Sequence, residues 1–276
     1  MSLVPEQTKL RATPNLIERP QGLSEKTTAW LLRIVTFVVF AGLWQIYGTL
    51  SENPMMASFT ETIGGFWELT VETGEIWEPL LITNQAMVIG YLLAIVTAIP
   101  LGLAAGRSKT LDRLADPYVA IFNAVPIAPL IPIVIIALGL GLQSRVIIVY
   151  FFAFVFMAVN TRAGVRKVDR TLPEMATSFG ANETEVWRLV VIPGALPSIF
   201  AGLRIGLGRA IAGMVIVELL LVASGIGRIL LRTSGRLQGD LVFGIVMVIV
   251  LESLLLLALM RMLERKLTPW AHDASV

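Results

Sequence analysis

Glu218 and Glu252 stand inside long apolar runs of a 276-residue chain. A carboxylate at bilayer depth costs on the order of 2.5–3.5 kcal/mol, so each must be protonated, paired or placed on a polar route. Together they have the residue type of a proton relay; the sequence names no partner for either. Other chemistries are excluded by count. There is no cysteine, hence no disulfide, thiolate metal site or cysteine nucleophile. The single histidine, His272, sits in a short polar tail, which removes histidine metal clusters and Ser-His-Asp catalysis. No G-x-x-x-x-G-K-[ST] phosphate loop is present, so this chain is not expected to hydrolyse ATP. Neither a resident metal or cofactor nor a nucleic-acid partner is expected.

The elements that position these residues are membrane spans. Hydrophobic residues make up 55% and charged residues 15%, against about 25% charge in soluble domains. Six apolar stretches, near 30–50, 80–105, 117–140, 143–162, 199–222 and 240–262, reach the roughly 17–25 residues a spanning helix needs. The expected fold is all-α and polytopic, with a tail over 1–29, a membrane domain over 30–265 and a tail over 266–276. All but four of the 22 Lys and Arg residues fall on one side, the exceptions being Arg145, Arg228, Arg232 and Arg236. By the positive-inside rule both termini are cytoplasmic. Segment 51–79 is then extracytoplasmic. Ser58 and Glu61 have capping-box spacing there, and Phe59, Ile63, Phe66 and Trp67 would share one face of a short interfacial helix, an irregular acidic loop being the competing reading.

Small residues mark where helices approach. Gly90, Ala94, Ala98 and Gly102 recur every four residues along the second span. Gly202 and Gly206 repeat the device in the fifth. In the third, NAVPIAPLIPIVIIALGLG, Pro126, Pro129 and Pro132 each remove a backbone donor. Such breaks survive at membrane depth where protein or a watery cavity covers them. With Asn123 and Glu218, Pro126 and Pro129 are the candidate lining of a translocation path; a static kink is the competing reading.

The cytoplasmic stretch 162–198 is long enough to carry its own structure. A short helix begins at Thr171 or Leu172 and ends at Gly180. A second runs over 182–191, with Asn182 and Glu185 spaced as a cap. Glu174-Met175-Ala176, then Gly180, then Ile192 and Leu196-Pro197 resemble the "EAA" loop of ABC-transporter permeases, with Met175 in place of the first alanine. IPLGLAAGRS, the proline-rich third span and GLRIGLGRA followed by VELLLVASGIG extend the resemblance over roughly residues 30–265. They are similar to the permeases serving nitrate, sulfonate, taurine and related small solutes.

That resemblance implies an importer-type permease of a bacterial inner membrane. It implies a homodimer with a second permease copy, two cytoplasmic ATPase subunits that carry ATP and Mg, and an extracytoplasmic solute-binding protein. The loop is then a coupling helix seated on the ATPase. Arg162, Arg166, Lys167 and Arg170 beside it are available to partner carboxylates or anionic lipid. The competing function is a proton-coupled secondary transporter using Glu218 and Glu252, which leaves the long loop unexplained.

Overall fold

The computed structural model of the chain describes residues 25–124, 127–220 and 224–270. Most of the 1–29 tail, Pro126, and His272 with most of the 266–276 tail therefore lie outside the described residues. Among those described, every element is helical. The order is α1 (Glu25–Leu50), α2 (Phe59–Trp67), α3 (Trp77–Arg107), α4 (Lys109–Ala124), α5 (Ile131–Leu138), α6 (Leu142–Lys167), α7 (Thr171–Ser178), α8 (Glu183–Val186), α9 (Ile192–Leu220), α10 (Gly225–Gly235) and α11 (Gly239–Leu267). Five segments are long and apolar enough to cross a bilayer: Thr27–Leu50, Trp77–Arg107, Leu142–Lys167, Glu183–Leu220 and Gly239–Leu267.

The stretch expected at 117–140 is built in pieces: α4, a 3₁₀ turn over Ala128–Leu130, and α5. Its prolines explain the division. Pro129 and Pro132 occupy the first turns of the 3₁₀ turn and of α5, where a missing N–H leaves no gap in the ladder. A continuous helix would put them in its interior, against the carbonyls one turn back.

α6 is the central element, with α3 against one side and α9 against the other. The small residues of α3 make the first contact. A Cβ on Gly90 would meet Val149 at 2.8 Å, and one on Gly102 would meet Thr161 at 2.7 Å. Ala94 and Ala98 between them are fully buried. On the other side a Cβ on Gly202 would meet Asn160 at 2.8 Å, and one on Gly206 would meet Met157 at 2.7 Å. The Tyr91 hydroxyl donates to the Leu203 carbonyl at 2.9 Å, tying α3 to α9 directly. The opposite face of α3 presents Leu81, Leu92 and Val96 outward.

Segment 51–79 folds as α2 and a following π-turn over Glu68–Glu72, seated on the start of α11. Ser58 and Glu61 form the capping box: the Ser58 N–H donates to Glu61 Oε2 at 2.8 Å, and the Glu61 N–H donates to Ser58 Oγ at 3.3 Å. The seated face is Thr62, Gly65 and Leu69, with Gly65 against the α11 backbone at Asp240. Ile63 and Trp67 of the expected interfacial face are exposed. In lipid the small face buys closeness, and apolar side chains need no protein cover. α1 is held mainly at its end: Trp44 Nε1–H donates to the Ala57 carbonyl at 3.0 Å, and Gln45 Oε1 accepts from the Thr60 N–H at 3.0 Å.

At the same end of the bundle α3, α6, α9 and α10 meet around Glu218, which is fully buried. Its carboxylate accepts from Thr83 Oγ1 at 2.9 Å and from the Gly227 N–H at 3.1 Å. Arg145 Nη1 lies 3.5 Å away. Thr83 Oγ1 in turn accepts from the Ile226 N–H at 3.0 Å. Two orphan amides of the first turn of α10 are thus capped by α3 and α9 rather than by Ser224, and the carboxylate sits at the positive end of the helix. Gly225, at φ +60°, makes room; a Cβ there would strike Glu218 and Thr83.

Thermal unfolding of the purified protein in detergent tests these contacts. Gly102→Ala lowers Tm, by about 1–3 kcal/mol of overpacking. Gly208→Ala, whose Cβ would meet nothing within 4 Å, leaves Tm unchanged or raises it through helix propensity. Glu218→Ala strands Arg145 and costs about 3–5 kcal/mol. Glu218→Gln keeps an acceptor for α10 and costs less; equal losses would show that the α10 cap contributes nothing.

Candidate functional site

The stretch resembling a coupling loop is a helical hairpin. α6 extends to Lys167 and α9 begins at Ile192, so the irregular part is shorter than 162–198. α7 closes in a Schellman motif: the Gly180 N–H donates to the Thr177 carbonyl at 2.9 Å, and the Ala181 N–H to the Ala176 carbonyl at 3.0 Å. The motif needs a left-handed residue, and Gly180 supplies it at φ +89°. α8 opens with a capping box, its Glu185 N–H donating to Asn182 Oδ1 at 3.0 Å. A π-turn over Trp187–Val191 then leads straight into α9. Its wider ring accommodates Pro193, which would press on the Leu189 carbonyl in a regular α-helix.

The motif residues divide between two places. Glu174, Met175, Ala176 and Gly180 lie at the tip. Ile192, Leu196 and Pro197 lie half-buried in the first turns of α9. At the tip Leu172, Met175 and Phe179 expose one apolar face of α7, Phe179 by 87%, and Leu189 is exposed beside them. Leu172, Phe179 and Leu189 carry no motif letters, so the motif passes over them; the i, i+3, i+7 spacing of Leu172, Met175 and Phe179 is the readable signal.

The hairpin's root is fixed by charge. Arg107 pairs with Glu183 and lies over the Trp187 ring, 5.3 Å from its centroid. Arg162 bonds Asp112 and Asp116, each at 2.5 Å, and Arg166 reaches Asp112 at 3.2 Å. The hydrogen bond from Arg162 holds the Asp112 carboxyl below its usual range. Two of the four basic residues beside the loop are therefore engaged inside the chain. The readable signal was the matching i, i+4 spacing of Asp112/Asp116 and Arg162/Arg166 on facing helices.

Of the four candidate path residues, Pro129 and Glu218 have described side chains. Asn123 falls in the last turn of α4; its side chain, like Pro126, lies outside the described residues. Pro129 is exposed in the 3₁₀ turn, next to an α5 that exposes Ile133 and, by 86%, Ile136. Glu218 is sealed in the junction under α10. Glu252 accepts a hydrogen bond from Asn84 Nδ2 across α11 and α3. Each intramembrane carboxylate thus has an identified partner within the chain.

Comparison with known proteins agrees with this architecture. The family model described as "Binding-protein-dependent transport system inner membrane component" matches residues 98–269. The taurine transport system permease protein TauC of Escherichia coli (strain K12) is 32% identical, with 75% of this chain and 73% of that protein covered. The riboflavin transport system permease protein RibX of Chloroflexus aurantiacus is 32% identical, covering 86% and 88%. The putative aliphatic sulfonates transport permease protein SsuC of Escherichia coli (strain K12) is 30% identical, covering 82% and 86%. An inward-facing structure of the MetNI methionine ABC transporter superposes with a TM-score of 0.57 at 21% identity, over 70% of this chain and 94% of that one, and shares the fold. With a sealed carboxylate junction at one end and an exposed helical hairpin at the other, and with the family match over most of its length, the chain belongs to the binding-protein-dependent transport system inner membrane components, the multi-pass, non-enzymatic permease subunits of ABC importers.

Proposed function

We propose that this permease carries a small organic or inorganic anion, of the sulfonate, taurine or nitrate kind, and that the α7–α8 hairpin is where a separate ATPase grips it. The working assembly in this reading has two copies of this chain, two ATPase subunits that bind ATP and Mg, and an extracytoplasmic binding protein. Both termini and the hairpin face the cytoplasm of a bacterial cell, and segment 51–79 faces the binding protein. The path forms where the Pro129 turn and α5 of the two copies meet.

The observation that carries the docking half is the exposed apolar face Leu172–Met175–Phe179 beside Leu189. It stands on the far side of a charged root and therefore outside hydrocarbon, where apolar area gains about 25 cal/mol per Å² by being covered. Gly180 leaves open space over the turn, so a partner's backbone can come close. The solute half is supported by two relatives named for taurine and aliphatic sulfonates; a relative of equal identity is named for riboflavin, so solute identity needs its own test.

Phe179→Asp and Gly180→Val should each cut co-purification of the ATPase with the tagged permease by tenfold or more, about 1.4 kcal/mol. The permease should remain in the membrane fraction at wild-type amount. Undiminished co-purification would place the grip elsewhere. In proteoliposomes holding the permease, its ATPase and its binding protein, taurine or a short alkanesulfonate should stimulate ATP hydrolysis and riboflavin should not. Stimulation by riboflavin alone would reverse the solute assignment.

A further inference from the structure

Beside the hairpin root the chain has a cavity of about 450 Å³ whose charge the coupling reading does not use. Arg107, Lys109, Arg166 and Arg170 line it, with Asp112 the one acidic residue. Arg107 is satisfied by Glu183, and Arg166 by Asp112. Lys109 and Arg170 have no acidic partner among the described residues, so the cavity keeps two uncompensated positive charges. α4 starts at Lys109, so the positive end of its dipole adds to the same field.

A groove of about 320 Å³ lies between α3, α4 and α6, lined by Leu101, Leu111, Leu114, Phe154 and Val155 and almost wholly apolar. The two spaces adjoin at one ion pair: Asp112 lines the cavity, and Arg162, bonded to it, lines the groove. Leu101, Leu114 and Tyr118 at the groove's rim are more than half exposed. A basic chamber opening onto an apolar trench is complementary to one class of molecule, an anionic head on a hydrocarbon tail. Basic pockets at the membrane-facing ends of helices bind such lipids by this combination.

We propose that the cavity and groove together seat one anionic phospholipid, its phosphate between Lys109 and Arg170 and an acyl chain against α4. The groove decides for a lipid over a soluble partner, because a partner that stops at the membrane surface leaves the trench at Leu114 and Phe154 empty. The bound lipid pins α4 to the α3–α6 pair. α4 otherwise holds to them chiefly through Asp112 and Asp116.

The test uses the full-length permease alone and in complex with its ATPase, delipidated in detergent. Each is titrated with phosphatidylglycerol or phosphatidylcholine and read by native mass spectrometry. The expected result is one phosphatidylglycerol retained per permease at concentrations where phosphatidylcholine is lost. K109Q/R170Q should weaken retention tenfold or more, while K109R/R170K keeps it. Ala104→Trp, which fills the groove without touching charge, should also lose it. Equal retention of phosphatidylcholine, or full retention by K109Q/R170Q, would overturn the proposal. So would displacement of the lipid by millimolar inorganic phosphate, which identifies a free-phosphate site, or by the ATPase, which identifies a protein-covered surface.

Discussion

Inside a bilayer, hydrocarbon solvates a leucine as well as a neighbouring helix does, so helices adhere by closeness of backbone and by polar groups that lipid cannot satisfy. α6 meets that constraint twice. Against α3 it fits Val149 and Thr161 over Gly90 and Gly102; against α9 it fits Met157 and Asn160 under Gly206 and Gly202. Large apolar side chains such as Leu81 and Val96 turn outward because lipid is an adequate partner for them. The same rule seats α2 on α11 by Gly65 rather than by Ile63 and Trp67. Everything else in the molecule is hung on the α3–α6–α9 trio.

Under the proposed docking the trio is also the means of transmission. α8, the π-turn and α9 form one unbroken helical segment, Glu183–Leu220, of 38 residues. At 1.5 Å per residue that is about 57 Å, more than the thickness of a bilayer. One end bears the exposed hairpin and the other end holds Glu218 under α10. No loop between them can absorb a displacement. Under the proposed docking, a movement of the hairpin reaches the far side as a tilt or shift of α9 against α6, whose smooth small-residue contact is the kind of surface along which helices slide.

Much of this was legible in the sequence, and the rest fails for identifiable reasons. Spacing alone located the capping boxes at Ser58 and Asn182, the stop at Gly180 and the small-residue stripes, because each depends on a few neighbouring residues. The third apolar stretch was legible as broken by its prolines, though its division into α4, a turn and α5 depends on which proline lands in a first turn. Arg145 stood out in the sequence as one of four basic residues set apart from the rest, whereas its place beside Glu218 was not legible. The two are more than seventy residues apart in sequence and meet only once α3, α6 and α9 have packed. In α2 the apolar face was legible, with Ile63 and Trp67 left exposed, whereas the seat of Thr62, Gly65 and Leu69 on α11 was not, because in lipid it is the side with the least bulk that packs against protein.

The fate of the carboxylates bears on energy supply. A proton relay needs a group that exchanges with both aqueous phases, and therefore one with loose or alternating partners. Glu218 is fully buried, held by Thr83, the Gly227 amide and Arg145, and roofed by Gly225 and Gly227, where any side chain would strike it. Its partners come from three other helices, α3, α6 and α10, so releasing it would loosen that whole end of the bundle. Glu252 is joined to Asn84 on a different helix pair, and the two carboxylates share no partner. In a chain built this way the intramembrane carboxylates hold α10 and α11 in place, and the ATPase that drives transport is a separate subunit, which under the proposed docking meets the hairpin.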